Sequence, residues 1–204
     1  MKKKIEKEKS VNKAEFSLPA EWQVVGPVEK DRPLMPELLT QIPESLVAFG
    51  EKRAPQKVKA ESGRLDLGPL LPGSGLGRSA LVYIPFTSDC HQTVMFGFGA
   101  DWWLDAYLDG ERVVDTLAEG NLYCPPSVAD HLKIVALEKG RHLLAIRFTS
   151  GIASAVLCAA CSNDMDTVCV VLARTISTRA ILSLTSMQSR ALLQELLGGK
   201  AKEY

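Results

Sequence analysis

The sequence lacks a long hydrophobic run, an excess of charge of either sign and an Asn-x-Ser/Thr sequon. No apolar run reaches the roughly 18 residues that a membrane-spanning helix needs. The 24 basic residues equal the 24 acidic ones, so no net field attracts nucleic acid or an anionic membrane surface. We therefore expect neither a nucleic-acid partner nor a membrane partner.

Cysteine is also scarce, with five residues in 204. An odd number without framework spacing indicates free thiols in a reducing compartment. The first ten residues include five lysines, but no apolar core follows them, so they do not resemble a secretory signal. We expect a cytoplasmic location, or export if this sequence is a fragment. The cysteines are Cys90, Cys124, Cys158, Cys161 and Cys169.

The most informative stretch is residues 101–110, because its side chains alternate as they would on the two faces of a strand. Asp109-Gly110 supplies the chemistry of a tight hairpin turn, with residues 111–114 as the returning strand. The apolar face is Trp102, Leu104, Ala106 and Leu108, and the opposite face alternates carboxylates with aromatic rings: Asp101, Trp103, Asp105, Tyr107 and Asp109.

Short apolar segments separated by turns continue along most of the chain, whose composition (46% hydrophobic, 24% charged) is that of a globular protein. Turn signals predict two more hairpins, around residues 61–63 and 138–140. This pattern predicts an all-β fold, an antiparallel two-sheet sandwich. The predicted strands are residues 21–27, 57–67 (two arms), 80–86, 93–98, 102–108, 112–116, 131–137, 141–149 and 153–159, with one helical turn near 36–39.

The two ends of the chain differ from this pattern. Residues 1–15 are interpreted as a flexible lysine-rich arm, residues 16–162 as the sandwich, and residues 163–204 as a C-terminal extension. Within the extension, residues 186–197 predict an amphipathic helix with Ser186 as N-cap and two glycines after its end. Such a short helix is marginal alone, so we expect it to dock on its own sandwich or on another chain.

Three segments, residues 22–27, 96–110 and 139–144, resemble the galactose-binding-like jelly roll. That sandwich is found in the sugar-binding domains of family 2 glycoside hydrolases and in many carbohydrate-binding modules. Residues 107–111 are similar to the aromatic-aliphatic-Asn-Gly-Lys hairpin of the group, with Asp in place of Asn. The resemblance covers about residues 20–160. It implies a jelly-roll fold and a carbohydrate ligand bound at the loops of one end or edge. The group often carries structural calcium, but no matching run of oxygen ligands is present, so we expect no cofactor.

Trp103, Asp105 and Tyr107, with Asp101 beside them, are the candidate ligand-binding residues. An aromatic ring packs on the C–H side of a pyranose, and a carboxylate accepts hydrogen bonds from its hydroxyl groups. The alternative is an outer sheet face that is solvated or covered by the proline-rich residues 19–55, with Asp101 capping a tight turn.

Motifs for metal binding and nucleophilic catalysis are absent or badly placed. Residues 75–80 imitate a dinucleotide fingerprint, but no strand leads into them. Cys158 and Cys161 are three residues apart, which places them on opposite faces of a strand. As arms of one hairpin, His131 and His142 would lie about 20 Å apart. We therefore expect no metal site and no catalytic site.

Two functions of different class remain. The aromatic-carboxylate strand and the resemblance favour a non-catalytic carbohydrate-binding module. The free cysteines and the lack of a signal favour a structural or assembly subunit, in which residues 163–204 contact a protein partner or a second copy of the chain. A glycosidase using Asp105 and Asp109 is the third possibility, and it is disfavoured because no cleft is implied.

Overall fold

The computed structural model describes residues 16–72, 78–121, 123–151 and 154–164. The predicted arm, the helix at 186–197 and Cys169 lie outside the described residues. Within them are the helical segments α1 (Pro36–Thr40) and α2 (Thr116–Glu119) and a 3-10 turn, Gly68–Leu70. The described strands are β1 (Glu21–Glu29), β2 (Leu46–Ala48), β3 (Glu51–Arg53), β4 (Gln56–Lys59), β5 (Arg64–Asp66), β6 (Arg78–Ser88), β7 (Gln92–Ala100), β8 (Trp103–Leu108), β9 (Glu111–Asp115), β10 (His131–Leu137), β11 (Gly140–Thr149) and β12 (Val156–Ser162).

Two antiparallel sheets form the body of the molecule. One has the strand order β4-β1-β6-β11-β8-β9 and the other the order β10-β7-β12-β5, while β2 and β3 form a small separate hairpin. The predicted all-β two-sheet sandwich is thus confirmed. No helix among the described residues is long and apolar enough to cross a membrane.

The core lies between the two sheets and is built mainly from alternate residues of their strands. Leu104 and Ala106 are buried there, and Leu108 packs against the same cluster, so the predicted register of β8 is confirmed. Trp102 departs from the prediction, because it precedes the strand, is half-buried and does not belong to the core cluster. Fully burying a large apolar core side chain stabilises the folded protein by about 1.5–3 kcal/mol. The largest members of the core include Trp22, Phe96, Phe98, Phe148, Ile84, Ile146 and Leu157.

The predicted hairpin between β8 and β9 is also confirmed. Asp109 has φ 52° and Gly110 has φ 90°, the pair of positive values that a type I′ turn requires. Asp109 Oδ1 accepts a hydrogen bond from the backbone N–H of Leu143 at 2.8 Å. Its Oδ2 lies 2.7 Å from Nδ1 of His142, so the turn is fastened to β11.

The predicted hairpin at residues 138–140 is wrong, because that turn passes the chain from one sheet to the other. The predicted turn at residues 61–63 is formed, with one antiparallel bridge between Glu61 and Arg64, but its two arms then continue into different sheets. β10 pairs with β7, whereas β11 lies between β6 and β8. Likewise β4 pairs with β1 and β5 with β12. Consequently His131 is opposite Phe98 and His142 is opposite Phe86, and the distance predicted from a shared hairpin does not apply.

Two smaller differences concern the ends of elements. The first strand does not stop at residue 27 but continues to Glu29, through a register shift between Val25 and Val28. The turn α2 was not predicted. Its N-cap, Asp115, accepts a hydrogen bond from the N–H of Ala118 at 3.2 Å.

The outer face of the six-stranded sheet is partly covered by residues 32–48, which include the predicted helical turn α1. We name these residues the covering segment. They form a second apolar cluster on the sheet, separate from the core. Its buried members are Val25, Val28, Leu46, Ala48, Leu81, Tyr83, Leu143 and Ala145, with Leu34, Leu38, Ile42 and Tyr107 packed against them.

The outer face of the four-stranded sheet is covered by the loop before β10. A Cβ atom added to Gly97 would lie 2.3 Å from the carbonyl oxygen of Val128, and one added to Gly99 would lie 2.2 Å from that of Ser127. Glycine is needed at both positions because the loop backbone approaches the strand too closely for any side chain.

Candidate functional site

An open groove of about 490 Å³ lies on the outer face of the six-stranded sheet, beside the turn that follows β1. Its volume is within the range of roughly 300–1,000 Å³ of small-molecule sites. The residues that line it are Lys30, Asp31, Trp103, Leu104, Asp105, Arg112, Asp115, Leu117, Arg147 and Thr149.

Strand register determines which side chains meet in this groove. On β11 and β8, Thr149 is opposite Trp103 and Arg147 is opposite Asp105. On β9, Asp115 is opposite Asp105 from the other side. Because side chains alternate along a strand, these outward residues form one surface above the buried Leu104, Ala106 and Phe148. Leu117 of α2 completes one wall.

The rim of the groove is apolar. The side chain of Trp103 is 37% exposed and Leu117 is 73% exposed. The ring of Trp103 contacts that of Trp102, with centroids 5.7 Å apart and planes at 57°. The carbonyl of Trp102 accepts a hydrogen bond from the side-chain amide of Asn121. These contacts hold an aromatic surface in place before any ligand arrives.

The floor of the groove is charged and largely paired. Arg147 donates from Nε to Asp105 Oδ2 at 2.9 Å, and its Nη2 donates to the same oxygen. Its Nη1 donates to the backbone carbonyl of Arg32 at 3.4 Å, which ties β11 to the covering segment. Nη1 of Arg112 donates to Asp115 Oδ2 at 2.9 Å.

Other polar groups of the groove are available to a ligand. Oδ1 of Asp105 has no hydrogen bond with any described residue, and the side chains of Lys30 and Asp31 have none within the described ranges either. The hydroxyl of Thr149 shares a hydrogen bond of 2.8 Å with that of Ser79. The groove therefore offers hydrogen-bond acceptors and the exposed ammonium group of Lys30 beside the ring of Trp103.

Tyr107, the third candidate on this strand face, does not line the groove. It packs against the cluster beneath the covering segment. Burial raises the pKa of its hydroxyl, and the neighbouring Asp105 carboxylate adds to that effect. The alternative of a covered outer face therefore applies to Tyr107.

Asp101 is separate from the other candidates. Its Oδ2 accepts a hydrogen bond from the backbone N–H of Val156 at 2.9 Å, and its own N–H donates to the carbonyl of Val156 at 3.1 Å. It ties the start of β8 to β12 in the opposite sheet. The structure thus brings Trp103 and Asp105 together and leaves Tyr107 and Asp101 outside the groove.

The sequence did not indicate the basic residues of the groove. The only local signal for Arg147 is that it interrupts the apolar run from Leu143 to Phe148. Its partner, Asp105, is 42 residues away in the chain, so the pair depends on strand order.

The cysteines of β12 lie in the interior. Cys158 and Cys161 are both buried. Burial raises the pKa of Cys158, and it raises that of Cys161 to about 12. In the part of the chain that the structure describes, no group of three or more His, Cys, Asp or Glu residues is placed to hold a metal ion.

No family model and no curated protein matches the sequence. Among solved structures, a beta-glucosidase from Kluyveromyces marxianus in complex with glucose aligns at 13% identity with a TM-score of 0.45, covering 69% of this chain and 16% of that one. A GH31 alpha-xylosidase from Xanthomonas citri aligns at 12% identity with a TM-score of 0.38, covering 70% and 15%. This chain therefore corresponds to about a sixth of each glycosidase. The fold assignment rests on the strand pairing described above.

Proposed function

We propose that this protein binds carbohydrate in the groove and performs no chemistry on it. The single observation that carries the proposal is the placement of the exposed ring of Trp103 beside the carboxylate of Asp105 on one concave surface. A pyranose has an apolar C–H side and a rim of hydroxyl groups, so it needs a ring and hydrogen-bond acceptors close together.

Pre-organisation supports the same proposal. The Trp102 ring holds Trp103, and Arg147 holds Asp105. A ligand therefore does not have to order these side chains, which lowers the entropy cost of binding. Arg147 leaves Oδ1 of Asp105 as an acceptor for a sugar hydroxyl.

Binding without catalysis is also part of the proposal. The other carboxylate that the sequence offered as a glycosidase partner, Asp109, holds the β8–β9 turn and does not line the groove. We further assign the sandwich to the galactose-binding-like group, on the strength of the hairpin motif at residues 107–111. An assembly role remains the alternative, and the segment on which it depends lies outside the described residues.

The experiment is a glycan-array screen of the full chain, followed by calorimetric titration of the saccharides that bind. We expect Trp103→Ala to weaken binding by about 0.5–1.5 kcal/mol beyond the lost contact area. Phe49→Ala is the matched control, because Phe49 is also an exposed aromatic residue but does not line the groove. Equal affinities for wild type and Trp103→Ala, or no saccharide bound at all, would contradict the proposal.

A further inference from the structure

The charges of the groove are balanced. Among the described residues that line it, three are basic and three are acidic. The basic residues are Lys30, Arg112 and Arg147, and the acidic residues are Asp31, Asp105 and Asp115. The surface therefore carries no excess charge that would attract an anion.

The guanidinium best placed to bind a carboxylate is already occupied. A guanidinium binds a carboxylate most strongly through two parallel N–H donors. In Arg147 the donors Nε and Nη2 both point at Oδ2 of Asp105, and Nη1 points at the carbonyl of Arg32. Arg112 is bonded to Asp115 through Nη1 alone. An acidic sugar would have to displace Asp105 to reach the fork of Arg147.

A carboxylate in the groove would also meet like charges. Asp31 lines the same surface without an ion pair to any described residue, and repulsion between like charges is a common basis of discrimination. A hydroxyl group has the opposite preference, since it can donate a hydrogen bond to the unoccupied Oδ1 of Asp105 or to Asp31.

We infer that the groove selects neutral saccharides and rejects those with a uronic acid, and that Asp105 determines this selectivity by occupying Arg147. The inference rests on the proposed carbohydrate-binding function. It assigns Asp105 two tasks: it accepts a hydrogen bond from a sugar hydroxyl, and it blocks the guanidinium that would otherwise bind a carboxylate.

The test uses the full chain and two pairs of immobilised sugars, glucose with glucuronate and galactose with galacturonate. Members of a pair differ only in that a carboxylate replaces the hydroxymethyl group. For any pair that binds, we expect the neutral member to bind about tenfold more tightly or better. Asp105→Asn should weaken binding of the neutral sugar and strengthen binding of the acidic one, because it removes the carboxylate charge that holds the Arg147 fork.

Two controls keep the test specific. Asp89→Asn makes the same charge change at an exposed residue that does not line the groove, and it should leave the preference unchanged. The double variant Asp105→Asn with Arg147→Gln lacks the guanidinium fork, so it should not show the increased affinity for acidic sugars. A thermal melt of each variant establishes that it is folded.

The outcomes separate the two proposals. If wild type binds the acidic member as tightly as the neutral one or more tightly, the selectivity inference is overturned while carbohydrate binding stands. If Asp105→Asn is folded and its affinity for acidic sugars does not rise, the inference that Asp105 blocks Arg147 is overturned. If no sugar of either kind binds, the proposed function itself fails.

Discussion

Tyr83→Phe is expected to stabilise the protein, because the Tyr83 hydroxyl is buried without a hydrogen-bond partner. The residue is 1% exposed, and no described residue pairs with its oxygen. It lies in a crevice between the covering segment and the sheet, next to Leu38 and Leu81, with no room for a water molecule. Burial raises the pKa of the hydroxyl for the same reason, since the phenolate would be desolvated.

The magnitude follows from the cost of an unpaired buried hydroxyl, about 1–3 kcal/mol in proteins. Removing one oxygen also leaves a small gap, which reduces the gain. We therefore expect Tyr83→Phe to raise the free energy of unfolding by about 1 kcal/mol, or the melting temperature by roughly 2–4 °C for a chain of this size.

Urea unfolding of wild type and variant measures this directly. Tyr107→Phe is the matched control, because Tyr107 lies on the same sheet face but is only partly buried, and we expect little change there. A loss of stability of 1 kcal/mol or more in Tyr83→Phe would refute the reasoning, since it would mean that the hydroxyl is satisfied in the folded protein.

Three further predictions concern the fold. Gly97→Ala should lower the free energy of unfolding in urea by about 1–3 kcal/mol, because its Cβ would lie 2.3 Å from the carbonyl oxygen of Val128. An unchanged free energy of unfolding would mean that the loop before β10 is not packed on the strand there. Leu104→Ala should cost about 2–5 kcal/mol in the same assay, and a cost below 1 kcal/mol would contradict its place in the core. The stability of the protein should depend on pH through His142. Burial opposes protonation of its ring, but hydrogen bonds to Asp109 and to a backbone carbonyl outweigh burial and raise its pKa. The stabilisation of the folded protein by His142 should be complete below about pH 6.5, and it should decline as the pH rises through the raised pKa of the folded state. His142→Gln should remove that decline, and an unchanged pH profile in the variant would contradict the assignment.

The parts of the fold that the sequence predicted correctly are those that depend on local pattern. Alternation in residues 103–108 gives the face of each side chain, and Asp109-Gly110 gives the turn, because both need only neighbours in the chain. The position of Leu104 in the core and that of Trp103 outside it follow from the same alternation.

The parts that failed depend on which strands meet. Turn chemistry at residues 138–140 is the same for a hairpin and for a corner between sheets, so local sequence could not separate β10 from β11. The site shows the same limit. Trp103 and Asp105 were predicted from one strand, whereas Arg147 reaches them only through the register of β11 on β8. Tyr107 was placed on the correct face, but the segment that packs on it comes from a distant part of the chain.

The most direct test of the carbohydrate-binding proposal is to map where a neutral saccharide binds. Amide and indole chemical shifts of the ¹⁵N-labelled full chain would be followed by NMR during titration with the tightest neutral ligand of the array. We predict saturable shift changes centred on the indole N–H of Trp103 and on the amides of residues 30–31, 105 and 147. Changes centred outside the residues that line the groove, or no changes at saturating sugar, would contradict the account.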